Sequence, residues 1–191
     1  MVVMVAGLMA LNAMAIDIML PALNEIAHAV GLTAEGVESD NRQQMIIFAY
    51  VLGFGAPQIL WGPITDRFGR RGPLFVSLAG YIVTAMLCIT LRDFHSLLAA
   101  RFIQGVFAAG ARLVATSVVR DLFAGRQMAR FMSLVMTIFM IIPIIAPALG
   151  QAILLVAPWE WIFGALVVFG SIMLAWTWMR LPETLPVENR P

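Results

Sequence analysis

Long apolar runs separated by short charged segments dominate the pattern of this chain. An α-helix needs about 20 mostly apolar residues to cross a bilayer core of about 30 Å, and the runs have about this length. The connections are short and rich in turn-forming and charged residues, except for residues 22–42, which form a longer acidic segment. The pattern predicts an all-α integral membrane protein with six transmembrane helices, at about residues 2–21, 43–61, 73–91, 94–118, 131–157 and 161–179.

The composition supports this class and excludes several others. Of the 191 residues, 61% are apolar and 12% are charged, whereas soluble domains average about 45–50% and about 25%. The net charge of +1 gives no basic excess for binding nucleic acid. Cys88 is the single cysteine, so neither an internal disulfide nor a cysteine-rich metal site is expected. The first run lacks the basic start of a signal peptide and contains Asp17, so it is interpreted as a retained span.

The arginines are distributed unequally between the two sides of the predicted membrane. Arg42 and Arg92 lie on one side, together with most of the acidic residues. The opposite side carries a larger set: Arg67, Arg70, Arg71, Arg120, Arg126, Arg130, Arg180 and Arg190. Because short cytoplasmic connections retain basic residues during insertion, both termini are predicted to be cytoplasmic.

Three charged residues, Asp17, Arg101 and Arg112, lie inside predicted spans, where charge is costly and usually marks a function. At 1.5 Å per residue, Asp17 lies roughly 24 Å from the cytoplasmic end of span one, and Arg101 lies roughly 10 Å below the outer end of span four. The similar depth predicts an Asp17–Arg101 pair, direct or through water. Such a pair either fastens two helices or exchanges protons with a cavity. Arg112, on the same face of span four, has either a structural role or a substrate or relay role.

Residues on two further spans are candidates for lining a cavity. In span two, Tyr50, Phe54, Gln58 and Trp61 share one helical face. In span five, a comparable stripe contains two prolines, which are tolerated where helices line a cavity or move; its members are Met136, Met140, Pro143, Pro147 and Gln151. The predicted cavity set is therefore Tyr50, Phe54, Gln58, Arg112 and Met140.

Residues 62–73 read GPITDRFGRRGP and resemble the signature loop of the major facilitator superfamily. The matching positions are Gly62, Asp66, Arg67, Gly69, Arg70 and Arg71. In this family the loop aspartate contacts the other half of the transporter. The resemblance therefore implies a conformational latch in which Arg70 bridges Asp66 and Asp121.

Two later motifs extend the resemblance. In span four, RFIQGVFAAG matches the second motif of the superfamily at Arg101, Gln104 and Gly105. In span five, PIIAPALGQ resembles the antiporter motif, with Pro143, Pro147 and Gly150 as candidate residues. Ala146 and Gln151 depart from that motif.

Three stretches, at residues 17–27, 118–123 and 181–186, are similar to drug-resistance transporters of the Bcr/CflA type, which are drug/proton antiporters. The resemblance implies two inverted three-helix repeats, with spans one and four as equivalent first helices. It assigns residues 1–180 to a six-helix bundle, and residues 181–191 to a cytoplasmic tail or the start of a central linker. Family members have twelve spans, so this chain is expected to be the N-terminal part of a longer transporter, or a half-size protein that pairs with itself or another chain.

The sequence thus predicts half of a proton-coupled exporter of drug-like or metabolite molecules in the bacterial inner membrane. Asp17 and Arg101 are the proposed proton-coupling residues. The expected partners are a small-molecule substrate, protons, the bilayer and a second six-helix half. No cofactor or metal is expected. A transporter of a defined sugar or amino acid and a non-transporting membrane scaffold are alternatives; an enzyme is disfavoured because the chain has no nucleophile–base pair, metal cluster or phosphate loop.

Overall fold

The computed structural model describes residues 1–32 and 42–185. The acidic residues Glu35, Glu38 and Asp40 and the tail residue Arg190, used above to predict orientation, lie outside these ranges. The helices of the described residues are α1 (Val2–Asp17), α2 (Leu23–Ala29), α3 (Gln44–Gly55), α4 (Gln58–Phe68), α5 (Arg71–Thr90), α6 (Phe94–Leu122), α7 (Gly125–Phe139), α8 (Ile142–Leu154) and α9 (Glu160–Arg180).

The helices form the all-α membrane fold that the hydrophobic pattern predicts. Among the described residues, five helical stretches are long and apolar enough to cross a bilayer, and the bent pair α3 and α4 makes a sixth. The third and sixth predicted spans, 73–91 and 161–179, differ from α5 and α9 only at their ends. Helix α6 continues to Leu122, beyond the predicted end at residue 118.

The second span is broken and longer than predicted. Helices α3 and α4 meet at an angle of 42°. Pro57 lies at the break, where it lacks a backbone N–H and crowds the preceding turn. The predicted end at residue 61 is too early, because the helix continues through Gly62 to Phe68 and ends at Gly69, which has a positive φ of 83°.

The fifth span also consists of two helices. Helix α7 begins at Gly125, before the predicted start at residue 131, and α8 ends at Leu154 rather than at 157. Pro143 lies in the first turn of α8, where its missing N–H is tolerated. Most side chains of α7 and α8 are exposed, whereas α1 is largely buried.

Helix α6 is at the centre of the bundle and packs against α1, α3 and α5. Its close contact with α3 requires small residues. A methyl group on Gly105 would overlap the carbonyl oxygen of Tyr50, and one on Gly53 would overlap that of Phe102. Small residues at such crossings allow membrane helices to approach closely.

Helix α6 begins with an N-cap. Asp93 accepts hydrogen bonds from the backbone nitrogen (2.8 Å) and hydroxyl (2.9 Å) of Ser96. The bonds from Ser96 hold the pKa of the Asp93 carboxyl below its usual value. Nearby, Arg92 pairs with Glu160 at the start of α9 at 2.7 Å, which links two connections on the same side of the bundle.

Candidate functional site

The guanidinium group of Arg101 is fully buried among α1, α3 and α9. It donates to the Ala15 carbonyl oxygen at 2.8 Å and to Gln104 Oε1 at 2.7 Å. The guanidinium carbon lies 4.4 Å from the ring centre of Tyr50 and 5.8 Å from that of Phe163. A carbonyl, an amide and two rings therefore hold this charge, and none of the described carboxylates contacts it.

Asp17 is the last residue of α1, and its side chain is half-buried. Within residues 1–32 and 42–185, no arginine lies at ion-pair distance from it. The direct Asp17–Arg101 contact is therefore not formed in this conformation. Arg101 reaches α1 at Ala15, and two residues further along a helix a side chain is turned by about 200°. Depth along the helices was predicted from the sequence, but orientation around the helix axis was not.

Tyr50 does not line a cavity, contrary to the sequence prediction. Its side chain is fully buried at the α3–α6 crossing beside Gly105, and its ring covers Arg101. The hydroxyl group has no hydrogen-bond partner among the described residues. Tyr50 is therefore a packing residue that covers the buried charge.

The break at Pro57 also divides the rest of the predicted stripe in span two. Phe54 lies in α3 and Gln58 begins α4, and both are half-buried. Trp61 is buried and donates from Nε1 to the Val106 carbonyl oxygen at 2.8 Å. Trp61 therefore fastens α4 to α6, and its side chain also borders a pocket with Ile64, Phe68 and Val76.

Arg112 has a different environment from Arg101. Its side chain is half-buried, and its guanidinium carbon lies 5.6 Å from the ring centre of Phe54. Within the described part of the chain, its guanidinium has no hydrogen-bond acceptor and no carboxylate partner. Its N–H groups are therefore available to another ligand.

The candidate residues of span five lie on α7 and α8, which are more exposed than the other long helices of the bundle. Met140, at the break between α7 and α8, is 70% exposed. Pro143 is exposed at the start of α8, and Pro147 is half-buried within it. A methyl group on Gly150 would overlap the Ile18 carbonyl oxygen. This glycine therefore allows α8 to approach the chain just after α1.

Arg70 makes both contacts that the latch hypothesis requires. It donates to Asp66 Oδ1 at 2.6 Å and from Nε to Asp121 Oδ2 at 3.0 Å. A third bond reaches the Thr65 hydroxyl at 3.0 Å. Burial alone would lower the pKa of Arg70, but the bonds to Asp121 and Asp66 outweigh it, so this pKa lies above its ordinary value. The end of α4, the end of α6 and the start of α5 are thereby joined at one point.

Glu183 belongs to the same cluster, although sequence reasoning did not single it out. Its carboxylate accepts from the backbone nitrogens of Arg70 (2.8 Å) and Arg71 (3.2 Å), at the N-terminus of α5. A carboxylate is favourable there because the first N–H groups of a helix are unpaired and carry partial positive charge.

Thr184 also donates to Asp121 Oδ2 at 3.1 Å. The only sequence signal was the resemblance of residues 181–186 to the Bcr/CflA type. We call Asp66, Arg70, Asp121 and Glu183 the Arg70 cluster.

The remaining motif residues surround this cluster. Arg71 donates to the Trp178 carbonyl oxygen at 3.0 Å and lies over the Trp178 ring. Arg67 is exposed, with its guanidinium carbon 5.8 Å from the ring centre of Phe68. Gly62 accepts a hydrogen bond from the Thr65 hydroxyl at 2.9 Å.

Sequence reasoning also overlooked Asn12 in α1. The side chain is half-buried, and its Oδ1 atom is buried without a hydrogen-bond partner among the described residues. Unsatisfied buried amides are rare in folded proteins, so this atom marks a position where a proton donor is missing. An amide in an otherwise apolar span was the available signal.

The chain is similar to known proteins over most of its length. The Major Facilitator Superfamily profile matches residues 5–191. The uncharacterized MFS-type transporter YdgK of Bacillus subtilis (strain 168) is 36% identical over 92% of this chain and 42% of its own length. The bicyclomycin resistance protein homolog of Haemophilus influenzae is 34% identical, again over 92% and 42%. The multidrug resistance protein MdtL of Escherichia coli O157:H7 is 33% identical over 83% and 41%. The chain spans less than half the length of these relatives.

Two solved structures share the fold. The crystal structure of the human organic anion transporter MFSD10 (TETRAN) aligns with 99% of this chain and 49% of its own, with a TM-score of 0.73 and 23% identity. That of a D-xylose-proton symporter aligns with 96% and 47%, with a TM-score of 0.79 and 13% identity. Nearly all of this chain therefore aligns with about half of each solved chain.

Proposed function

The chain belongs to the major facilitator superfamily, and we propose that it forms the N-terminal half of a proton-coupled exporter. The proposed substrates are small drug-like or metabolite molecules, moved by alternating access. Relatives named as bicyclomycin and multidrug resistance proteins support an export role. The chain is a multi-span membrane protein; we place it in a bacterial inner membrane with both termini cytoplasmic, because the arginines are concentrated on one side.

The observation that carries the proposal is the bond from Arg101 to the Ala15 carbonyl oxygen of α1, two residues before Asp17. Among the described residues, Arg101 has no carboxylate in contact and Asp17 has no arginine at ion-pair distance. A rotation of α1 relative to α6 would change the distance between the two charges. Because an arginine close to a carboxyl group favours its ionised form, such a rotation would couple proton release to the conformational state.

The Arg70 cluster supplies the second element of this proposal. It joins the cytoplasmic-side ends of α4, α5 and α6 through one guanidinium group. In an assembled transporter, the half-exposed Asp66 is the member available to a second six-helix half. We propose that the cluster holds one of the alternating conformations and opens when the halves rock apart.

Replacement of Asp17 tests the coupling. In vesicles containing this chain with its second half, one pH unit across the membrane supports about a tenfold substrate gradient for one coupled proton. Asp17→Asn is expected to abolish this gradient, because an amide does not exchange the proton. Glu25→Gln, which removes an exposed carboxylate from α2, is the matched control and should preserve it.

Binding of the same substrate and the yield of folded protein should be similar in both variants. Substrate accumulation by Asp17→Asn that still follows the pH gradient would remove Asp17 from the mechanism. A sugar or amino acid as the only accumulated compound in a substrate panel would favour the alternative of a dedicated metabolite transporter.

A further inference from the structure

The interior of the described membrane helices carries more positive than negative charge. Away from the helix ends, α6 contains Arg101 and Arg112, and α1 contributes Asp17 at its last turn. Charges at this depth normally pair with each other or with a ligand. Among the described residues, neither arginine has a carboxylate at ion-pair distance, so the two charges depend on other groups.

The two arginines differ in their hydrogen-bond acceptors: Arg101 has two, and Arg112 has none among the described residues. Arg101 is enclosed, with acceptors on two of its nitrogens and an aromatic ring covering it. Arg112 has only the Phe54 ring at 5.6 Å, and the described residues offer its N–H groups no acceptor. An aromatic ring attracts a guanidinium through its face, which leaves donors free for a planar anion.

The position of the Arg112 guanidinium is close to the middle of the bundle. Helical side chains lean toward the N-terminus of their helix, which in α6 is the end at Phe94. Arg112 therefore reaches toward Phe54, whose backbone nitrogen lies against Gly105. Gly105 is about 17 Å along a helix of about 44 Å. Substrate sites in transporters built from such repeats lie near this midplane.

We infer that Arg112 is a specificity-determining residue that binds the anionic group of the substrate, and that the substrates are small amphipathic carboxylates. This inference rests on the proposed transport function. A guanidinium binds a carboxylate with two parallel hydrogen bonds, and the Phe54 ring beside it provides an apolar surface for the rest of the molecule. A cationic substrate at the same position would meet an unneutralised like charge.

Three naphthalene compounds with the same ring test this inference: 2-naphthoate, the neutral 2-naphthamide and the cationic 2-naphthylmethylammonium. Binding is measured by equilibrium dialysis on the chain assembled with its second half in zwitterionic micelles. We expect the carboxylate to bind at least about tenfold more tightly than the amide, which lacks charge-assisted bonds. The ammonium compound should bind most weakly.

Arg112→Gln should abolish the preference, so that the carboxylate and the amide bind within about twofold of each other. Arg112→Lys should retain part of the preference, because it keeps the charge but loses the planar pair of donors. Arg126→Gln, which removes an exposed arginine at the start of α7, is the matched control and should retain all of it. An unchanged preference in Arg112→Gln would overturn the inference, as would equal or absent binding of the three compounds by the original protein.

Two further results would separate the proposed carboxylate site from a lipid-headgroup site and from a failure of proton coupling. If phosphatidylglycerol competes with naphthoate, and Arg112→Gln removes that competition, the site belongs to a lipid headgroup and the inference is overturned. Carboxylate selectivity in binding without pH-driven accumulation of any of the three compounds would contradict the proposed proton coupling, and would leave the anion site standing.

Discussion

Arg101 illustrates how a charge is buried in this protein with no carboxylate beside it in residues 1–32 and 42–185. Transfer of an arginine to a low-dielectric interior is unfavourable unless its donors are satisfied. Here a backbone carbonyl and an amide accept two of its bonds, while Tyr50 covers its face. The role of Tyr50 therefore depends on its ring rather than its hydroxyl group.

This distinction predicts the effect of two substitutions at Tyr50. Tyr50→Phe keeps the ring and removes a buried hydroxyl without a partner in the described residues, so the free energy of unfolding should be unchanged or rise by up to about 1 kcal/mol. Tyr50→Ala should lower it by about 3–5 kcal/mol, because it empties a buried ring site.

Thermal and denaturant unfolding of the detergent-solubilised protein measure both changes. A loss of about 2 kcal/mol or more in Tyr50→Phe would show that the hydroxyl makes a stabilising bond, and would contradict this account of Tyr50.

The sequence indicated which residues carry charge inside the spans, but not how they are arranged. The rise per residue of a helix predicted Asp17 and Arg101 at similar depth, and Arg101 contacts α1 at Ala15, two residues from Asp17. Their contact was not predictable, because it depends on the rotation of α1 against α6. Tyr50 was misplaced for the same reason: a helical stripe does not reveal which neighbouring helix covers it.

At the scale of helices, glycine residues allow close backbone contact between α6 and α3. Gly105 lies directly against the α3 backbone near Tyr50, with no room for a methyl group. Gly55, in the same α3 helix, has open space around it in the described structure. The two glycines therefore provide a contrast between a packing position and an unconstrained one.

Alanine substitutions test the α3–α6 crossing. Gly105→Ala should destabilise the protein by about 1–3 kcal/mol, because the helices must move apart. Gly55→Ala should be neutral or stabilising by up to about 1 kcal/mol, since alanine favours helix. Unfolding in detergent gives both values. Equal effects of the two substitutions would show that the crossing is looser than described.

The Arg70 cluster allows a comparison of two ion pairs that share one arginine. The Arg70 side chain is 10% exposed, while that of Asp121 is 20% exposed and that of Asp66 is 52% exposed. Exposed pairs contribute about 0.2–1 kcal/mol, because water competes for both groups. The Asp121 pair should therefore contribute more, although the Asp66 distance is shorter.

Double-mutant cycles with Arg70→Gln measure these couplings. We expect a coupling energy of about 1–3 kcal/mol with Asp121→Asn and less than about 1 kcal/mol with Asp66→Asn. Glu25→Gln, far from the cluster, should show no coupling with Arg70→Gln. The reverse order of the two couplings would mean that Asp66 is less solvated than in this conformation.

The number and approximate positions of the helices were largely predictable, whereas the breaks within them were not. Run length and charge placement predicted six spans, because both follow from the thickness of the bilayer. Pro57 and Gly62 both carry turn chemistry, yet only Pro57 lies at a bend, and the helix runs through Gly62 to Gly69. The difference depends on tertiary contacts, such as the bond from Trp61 to Val106 in α6.

At the scale of the whole molecule, several helices of the bundle expose much of their surface. Helices α7 and α8 bury few of their residues, and α3 also exposes large apolar side chains such as Phe48 and Leu52. The chain also spans less than half the length of its relatives. Both features fit the proposal that a second six-helix half completes the transport cavity.

The most direct test of this account is substrate-stimulated proton movement in inverted vesicles. Vesicles containing the chain alone are compared with vesicles containing the chain and a matching C-terminal half, each under an imposed pH gradient. We predict that added substrate dissipates the gradient only when both halves are present. Dissipation by the chain alone would contradict the half-transporter proposal and indicate a homo-oligomer. An unchanged gradient with both halves folded and assembled would contradict proton-coupled transport itself.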